Sequence, residues 1–178
     1  DFSLRSNAGN IDDSQLDELN AIKGNKRLYA AINSLMHQRD IAVLRDRLDA
    51  IARYPFDAFI VSDMGAGAIL KRRFPDRALH LSTQASCLNS AAVAAYRDMG
   101  FSRIVLGREA SLEDIATIKE AVPEVELEVF VHGAMCMAYS GRCFLSAFLA
   151  GRSANSGDCA HSCRWDYRLR EQRFALEE

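Results

Sequence analysis

AFIVSDMGAGAILKRRFPDRALHLS, residues 58–82, holds a strand, a helix and a second strand in order. Ala58 to Ser62 is a short apolar run bounded by polar residues, the pattern of a buried strand. The chain then turns through Met64-Gly65-Ala66-Gly67 into a helix that ends near Arg73. Pro75 cannot continue a helix, since it lacks a backbone N–H and its ring clashes with the preceding turn. Ala78 to Ser82 is apolar again and reads as the next strand.

The same plan extends both ways. Upstream, Arg27 to Asn33 reads as a strand, followed by a helix over Asp40 to Tyr54 with Ile41, Leu44, Leu48 and Ile51 at helical spacing and Pro55 as its stop. Asp12, Asp13 and Ser14 are capping residues for a helix over Gln15 to Ile22, and Phe2 to Arg5 reads as the end of a further strand. Downstream, Asn89 or Ser90 caps a helix through Met99 that Gly100 closes, and Arg103 to Leu106 is a strand. Ser111 opens a helix with Leu112, Ile115, Ile118 and Ala121 on one face, and Pro123 ends it. Glu128 to Val131 is the last strand.

Strands and helices alternating at roughly 25-residue spacing argue for a parallel sheet with helices outside it. No G-x-G-x-x-G follows any strand, so nothing favours an open doubly wound sheet over a barrel. The chain has 178 residues, 49% hydrophobic, enough to bury a core. With 22 Lys and Arg against 24 Asp and Glu, it is not coated in basic charge. No run of about 18 apolar residues occurs, so no membrane partner and a cytoplasmic location are expected.

From Glu128 to Tyr167 the composition changes, and four of the five cysteines fall here: Cys136, Cys143, Cys159 and Cys163. Thiols packed this densely bond to one another, to zinc or to an iron–sulfur cluster. Disulfides chiefly rescue domains too small to build a core. Zinc draws four sulfurs to ~2.3 Å from one centre and favours C-x2-C knuckles. The spacing here is C-x6-C-x15-C-x3-C, which suits a cluster better and leaves zinc, or cysteines without a metal, open. Between Arg142 and Arg173 stand six arginines, no lysine and three acids, a local excess of positive charge built from the residue that binds phosphate bidentately.

Glu128, Phe130, Gly133, Ala134, Met135, Cys136, Gly141, Cys143, Leu145 and Ser146 fill every place of the signature of peptidase family U32, the collagenase-like proteins. The stretch GRSANSGDCAHSCRWDY, with HLSTQAS and LGREASLEDI, also resembles that family, and most closely its branch that hydroxylates a wobble-position uridine in transfer RNA. The resemblance implies a (β/α)8 TIM-barrel-like fold, incomplete in this chain, with residues 1–133 as the partial barrel and 134–178 as a Cys-rich, Arg-rich C-terminal extension. It implies a four-iron, four-sulfur cluster on the four cysteines, of which Cys163 is the least secure because some relatives place the fourth ligand further downstream. It implies tRNA or rRNA as partner and a small carboxylic acid such as prephenate as hydroxyl source. Whether the protein is an oligomer stays open.

A parallel barrel works at the carboxyl ends of its strands. Those ends are Asn33, Asp63, Gln84, Arg108 with Glu109, and His132. Arg108, Glu109 and His132 are the catalytic candidates. Asn33, Asp63 and Gln84, with Arg142, Arg152, Arg164 and Trp165, are candidates for substrate contact, and Tyr139 and Tyr167 for base stacking. The plain alternative is that strand ends turn polar because they are exposed, and that the aromatics pack over a core. Cys87 reads as a small buried thiol. Two other functions compete. A collagenase-like endopeptidase would use Ser140, Ser146, Cys136 or Cys143 with His132, although no G-x-S-x-G or H-E-x-x-H occurs. A metal-stabilised binding module would need no catalysis.

Overall fold

The computed structural model describes residues 2–3, 9–133, 136–139 and 142–168. The strands are β1 (Tyr29–Ile32), β2 (Ala58–Val61), β3 (Ala78–Leu81), β4 (Phe101–Val105) and β5 (Glu126–Glu128). They form one sheet in the order β1-β2-β3-β4-β5, every pair parallel. The helices are α1 (Leu16–Lys23), α2 (Gln38–Asp46), α3 (Leu48–Ala52), α4 (Met64–Arg73), α5 (Ser90–Asp98), α6 (Leu112–Ala121) and α7 (Leu145–Ala150).

One face of the sheet makes the core. Ile32, Phe59, Val61, Leu79, Leu81 and Ile104 pack there against Leu44 of α2, Leu70 of α4, Val93 of α5 and Ile118 of α6. Strand order follows chain order, with these helices on one face, whereas a doubly wound sheet reverses its order and covers both faces. Among the described residues the sheet does not close, because β1 and β5 are its two edges. The expected eightfold barrel is therefore seen here as an open five-stranded sheet. The possible strand at Phe2 to Arg5 falls largely outside the described residues, and Phe2 itself is not in a strand.

Local chemistry explains where the boundaries shift. The helix expected over Asp40 to Tyr54 breaks at Arg47 into α2 and α3. Between β3 and β4 the register slips at Leu79/His80, so Phe101 and Ile104 both reach the core although alternation would separate them. Ser111 and Asp114 form a reciprocal capping box that fixes the start of α6. Leu112 then falls in the exposed first turn, 86% accessible, while Ile115 and Ile118 face the core. The last strand starts two residues earlier than expected and ends three earlier. The ladder ends at Val105↔Glu128, after which β4 turns at Gly107, so Val129 and Phe130 continue unpaired and Val131 is 91% exposed.

Candidate functional site

The carboxyl ends of the strands are joined by side-chain hydrogen bonds. Asn33 Nδ2 donates to Ser82 Oγ at 3.3 Å, and Ser62 Oγ donates to the Asn33 carbonyl at 3.0 Å. Thr83 Oγ1 donates to the Leu106 carbonyl at 2.9 Å. These bonds lace β1 to β2, β3 and β4 just where their ladders stop. Asp63, expected to meet substrate, accepts from Ala66 N at 2.9 Å and caps α4.

Arg108 stands past the end of β4 with its guanidinium 4.5 Å from the centre of the Phe130 ring. The Glu109 carboxylate leans back over Gly107, where an added Cβ would lie 2.9 Å from Oε2 and 2.8 Å from Leu88 Cδ2. His132 is exposed, and among the described residues it makes no hydrogen bond or ion pair. Arg108 and Glu109 thus lie past the end of β4, and His132 past the end of β5.

The cysteine-bearing segment is seated on this rim at two points. Arg142 donates to the Gln84 carbonyl through Nε at 3.3 Å and Nη2 at 3.2 Å, and Leu35 N, just beyond β1, donates to the Asn155 carbonyl at 3.1 Å. Within the segment, Asn155 bonds both backbone groups of Cys143, and Ser146 Oγ accepts from Ala160 N at 2.9 Å. Ser146 is 1% exposed, so it is a buried tie to the residue after Cys159 and not an available nucleophile. Ser140 lies outside the described residues, as do Ala134, Met135 and Gly141 of the signature.

All five cysteines are free thiols in this structure. Three of the four in the segment accept a backbone N–H two residues on: Cys136 Sγ from Ala138 at 3.4 Å, Cys143 Sγ from Leu145 at 3.3 Å and Cys159 Sγ from His161 at 3.3 Å. Hydrogen bonds to the sulfurs are one of the determinants of the potential of an iron–sulfur cluster. Among the described residues, no three His, Cys, Asp or Glu side chains are gathered to hold a single metal ion. A zinc site needs its donors on one ion, and a four-iron cube needs four cysteines around one larger body, each on its own iron. In its chemistry the donor set fits a cluster.

The remaining candidates separate. Arg152 is held by Asp158 at 2.6 Å, an exposed pair that raises the arginine's pKa. Arg164 and Trp165 are exposed, and Tyr167 donates to the Ser162 carbonyl at 2.7 Å. Cys87 is buried, and burial pushes its thiol pKa up, as expected of a packing residue. A cavity of about 970 Å³, lined by residues including Leu19, Tyr29, Ile51 and Tyr54, includes none of the candidates.

One cluster escaped the sequence reading. On the sheet face opposite the helix-packed core, Arg103 donates to Glu126 Oε2 through Nε at 2.8 Å and Nη2 at 2.6 Å, and its Nη1 lies 3.6 Å from Glu128. The Arg103 guanidinium lies over the Tyr29 ring, whose edge meets His80 at 4.8 Å between centroids. Burial, then the charge of Arg103, push the His80 pKa down to about 4. The available signal was charge at alternate strand positions: Arg103, Glu126 and Glu128 all point away from the core.

A one-way-wound parallel sheet with a thiol-bearing loop over its strand ends defines the class, an α/β protein. The chain belongs to peptidase family U32, whose family pattern it matches over residues 1–178. It is 39% identical over 168 residues to tRNA hydroxylation protein P of Escherichia coli (strain K12), covering 94% of this chain and 37% of that protein. It is 36% identical over 172 residues to the 23S rRNA 5-hydroxycytidine C2501 synthase of the same strain, covering 96% of this chain and 26% of that one. The chain therefore spans well under half the length of these curated relatives. A solved U32 peptidase structure matches with a TM-score of 0.54 at 17% identity, over 66% of this chain and 51% of its own, a likeness of fold alone.

Proposed function

We propose that this chain is part of an iron–sulfur enzyme that hydroxylates a base in RNA, the wobble uridine of transfer RNA first among the candidates. The observation that carries the reading is the seating of the cysteine-bearing segment. Arg142 and Asn155 fasten it over the strand ends, where a parallel α/β sheet does its chemistry. The names of relatives at 39% and 36% identity supply the reaction class.

Cys136, Cys143, Cys159 and Cys163 would hold a 4Fe-4S cluster, which would supply one-electron chemistry to the rim. Arg108 makes no ion pair among the described residues, and its in-plane donors suit a carboxylate of a small hydroxyl donor such as prephenate. Arg142 and Arg164, with Trp165 exposed beside them in sequence, are the groups for RNA backbone and base. The endopeptidase reading gains no support from Ser146, which is buried and already bonded.

The test is to purify the protein anaerobically, measure iron and sulfide, and analyse nucleosides of transfer RNA from cells lacking or expressing it. Near-equal iron and sulfide, with a one-oxygen gain on a uridine that depends on the protein, is the expected result. Protein that carries the cluster yet leaves every RNA nucleoside unchanged would remove the hydroxylase reading.

A further inference from the structure

We infer that Asn155 is a positioning residue for Cys143, and that it couples the thiol-bearing loop to the end of β1. The inference rests on the iron–sulfur reading for its consequence, but on hydrogen bonds for its geometry. Asn155 Oδ1 accepts from Cys143 N at 3.1 Å, and Nδ2 donates to the Cys143 carbonyl at 3.0 Å. One side-chain amide thus occupies both backbone groups of one residue, as a neighbouring strand would. The task needs an acceptor and a donor on one planar group; aspartate lacks the donor and leucine lacks both.

The third bond gives the pair its address. The Asn155 carbonyl accepts from Leu35 N, two residues after Asn33 of the rim. Asn155 sits in a single 3-10 turn, Ala154–Ser156, which Gly157 closes at a φ of +89°, a conformation suited to glycine. Cys143 is therefore held by its N–H and carbonyl through Asn155, and by its sulfur through Leu145 N. Ser146 then carries the connection on to Ala160 beside Cys159. The sixteen-position step between Cys143 and Cys159 is bridged from within by these two side chains. Partners of metal ligands of this kind typically cost 10–100-fold in metal affinity when removed.

The experiment compares wild type with Asn155→Ala and Asn155→Asp in two readouts. One is the rate at which iron is lost to a chelator from anaerobically purified protein. The other is the rate of iodoacetamide labelling at each cysteine of the iron-free protein, read by peptide mass. The expected result for Asn155→Ala is iron loss roughly 10–100-fold faster and faster labelling of Cys143, with Cys87 unchanged as internal control. Asn155→Asp keeps the acceptor and loses the donor, so it should fall between the two; it also decides the matter if the alanine variant fails to fold. Iron retention and Cys143 labelling equal to wild type in a folded variant would overturn the inference. Wild type that binds no iron would sink the cluster reading, whereas selective labelling of Cys143 would still uphold the positioning role and equal labelling would still overturn it.

Discussion

His80 is 5% exposed on β3, on the face away from the helices, with Tyr29 edge-on beside it and Arg103, Glu126 and Arg27 supplying the nearby charge. Its pKa of about 4 lies below the ordinary 6.5, so between those values the unfolded chain binds the proton and the folded one does not. Stability from this group is complete above pH 6.5 and declines as pH falls toward 4. The loss between pH 7 and 5 is at most about 2 kcal/mol. Urea denaturation at those two pH values should show it, and His80→Asn should flatten the difference; an unchanged slope in the variant would disprove the assignment. Asp63 caps a helix instead of facing an open site. Its polar character was legible, but a strand end in this fold is also a helix start, and the structure gives the carboxylate to Ala66 N. Asp63→Ala should cost about 1 kcal/mol as a lost cap, while Asp63→Asn keeps stability. Hydroxylation that survives in Asp63→Asn would leave capping as the residue's role.

β4 with its end, and β5 with the residues that follow it, form a matched pair. Arg103 is clamped by Glu126 and approached by Glu128, and five positions on, Arg108 is stacked on Phe130. Glu128 and Phe130 of the family signature thus each meet an arginine of the neighbouring strand or its end. A ring beneath a guanidinium leaves its edge donors facing outward, at about 0.5–1 kcal/mol where exposed. On the proposed reading, Phe130→Leu should raise KM for a carboxylate co-substrate about two- to fivefold with little change in kcat, and Phe130→Tyr should restore it. A fall in kcat at constant KM would show that Phe130 does something else. The alternation of strand and helix was readable because apolar runs here are punctuated by Pro55, Pro75, Gly100 and Pro123. The end of β5 was not, because Val129 to Val131 look like strand by composition while the ladder stops where β4 turns at Gly107. Asn155 was equally invisible, since an asparagine in a Gly- and Ser-rich stretch reads as a turn residue, and only its partner twelve positions away reveals the task.

Among the described residues, the buried core cluster runs from Ile32 to Val125 and includes no residue of the cysteine-bearing segment. That segment meets the sheet through hydrogen bonds at Gln84 and Leu35, and it leaves Met137, Phe144 and Phe148 exposed. Burial supplies most of a fold's stability, and regions with few buried apolar contacts open at lower free energy than the core. The sheet and the thiol loop should therefore be separate units of stability, and the proposed cluster would add to the stability of the second. Hydrogen exchange should show β2, β3 and β4 protected to the level of global unfolding, and residues 142–168 opening well below it. Chelating the iron should accelerate exchange across 142–168 and leave β2 to β4 unchanged. If amides of Phe59, Leu79 and Ile104 lose protection together with those around Cys143, the two form one cooperative unit, and the loop is part of what keeps the sheet folded.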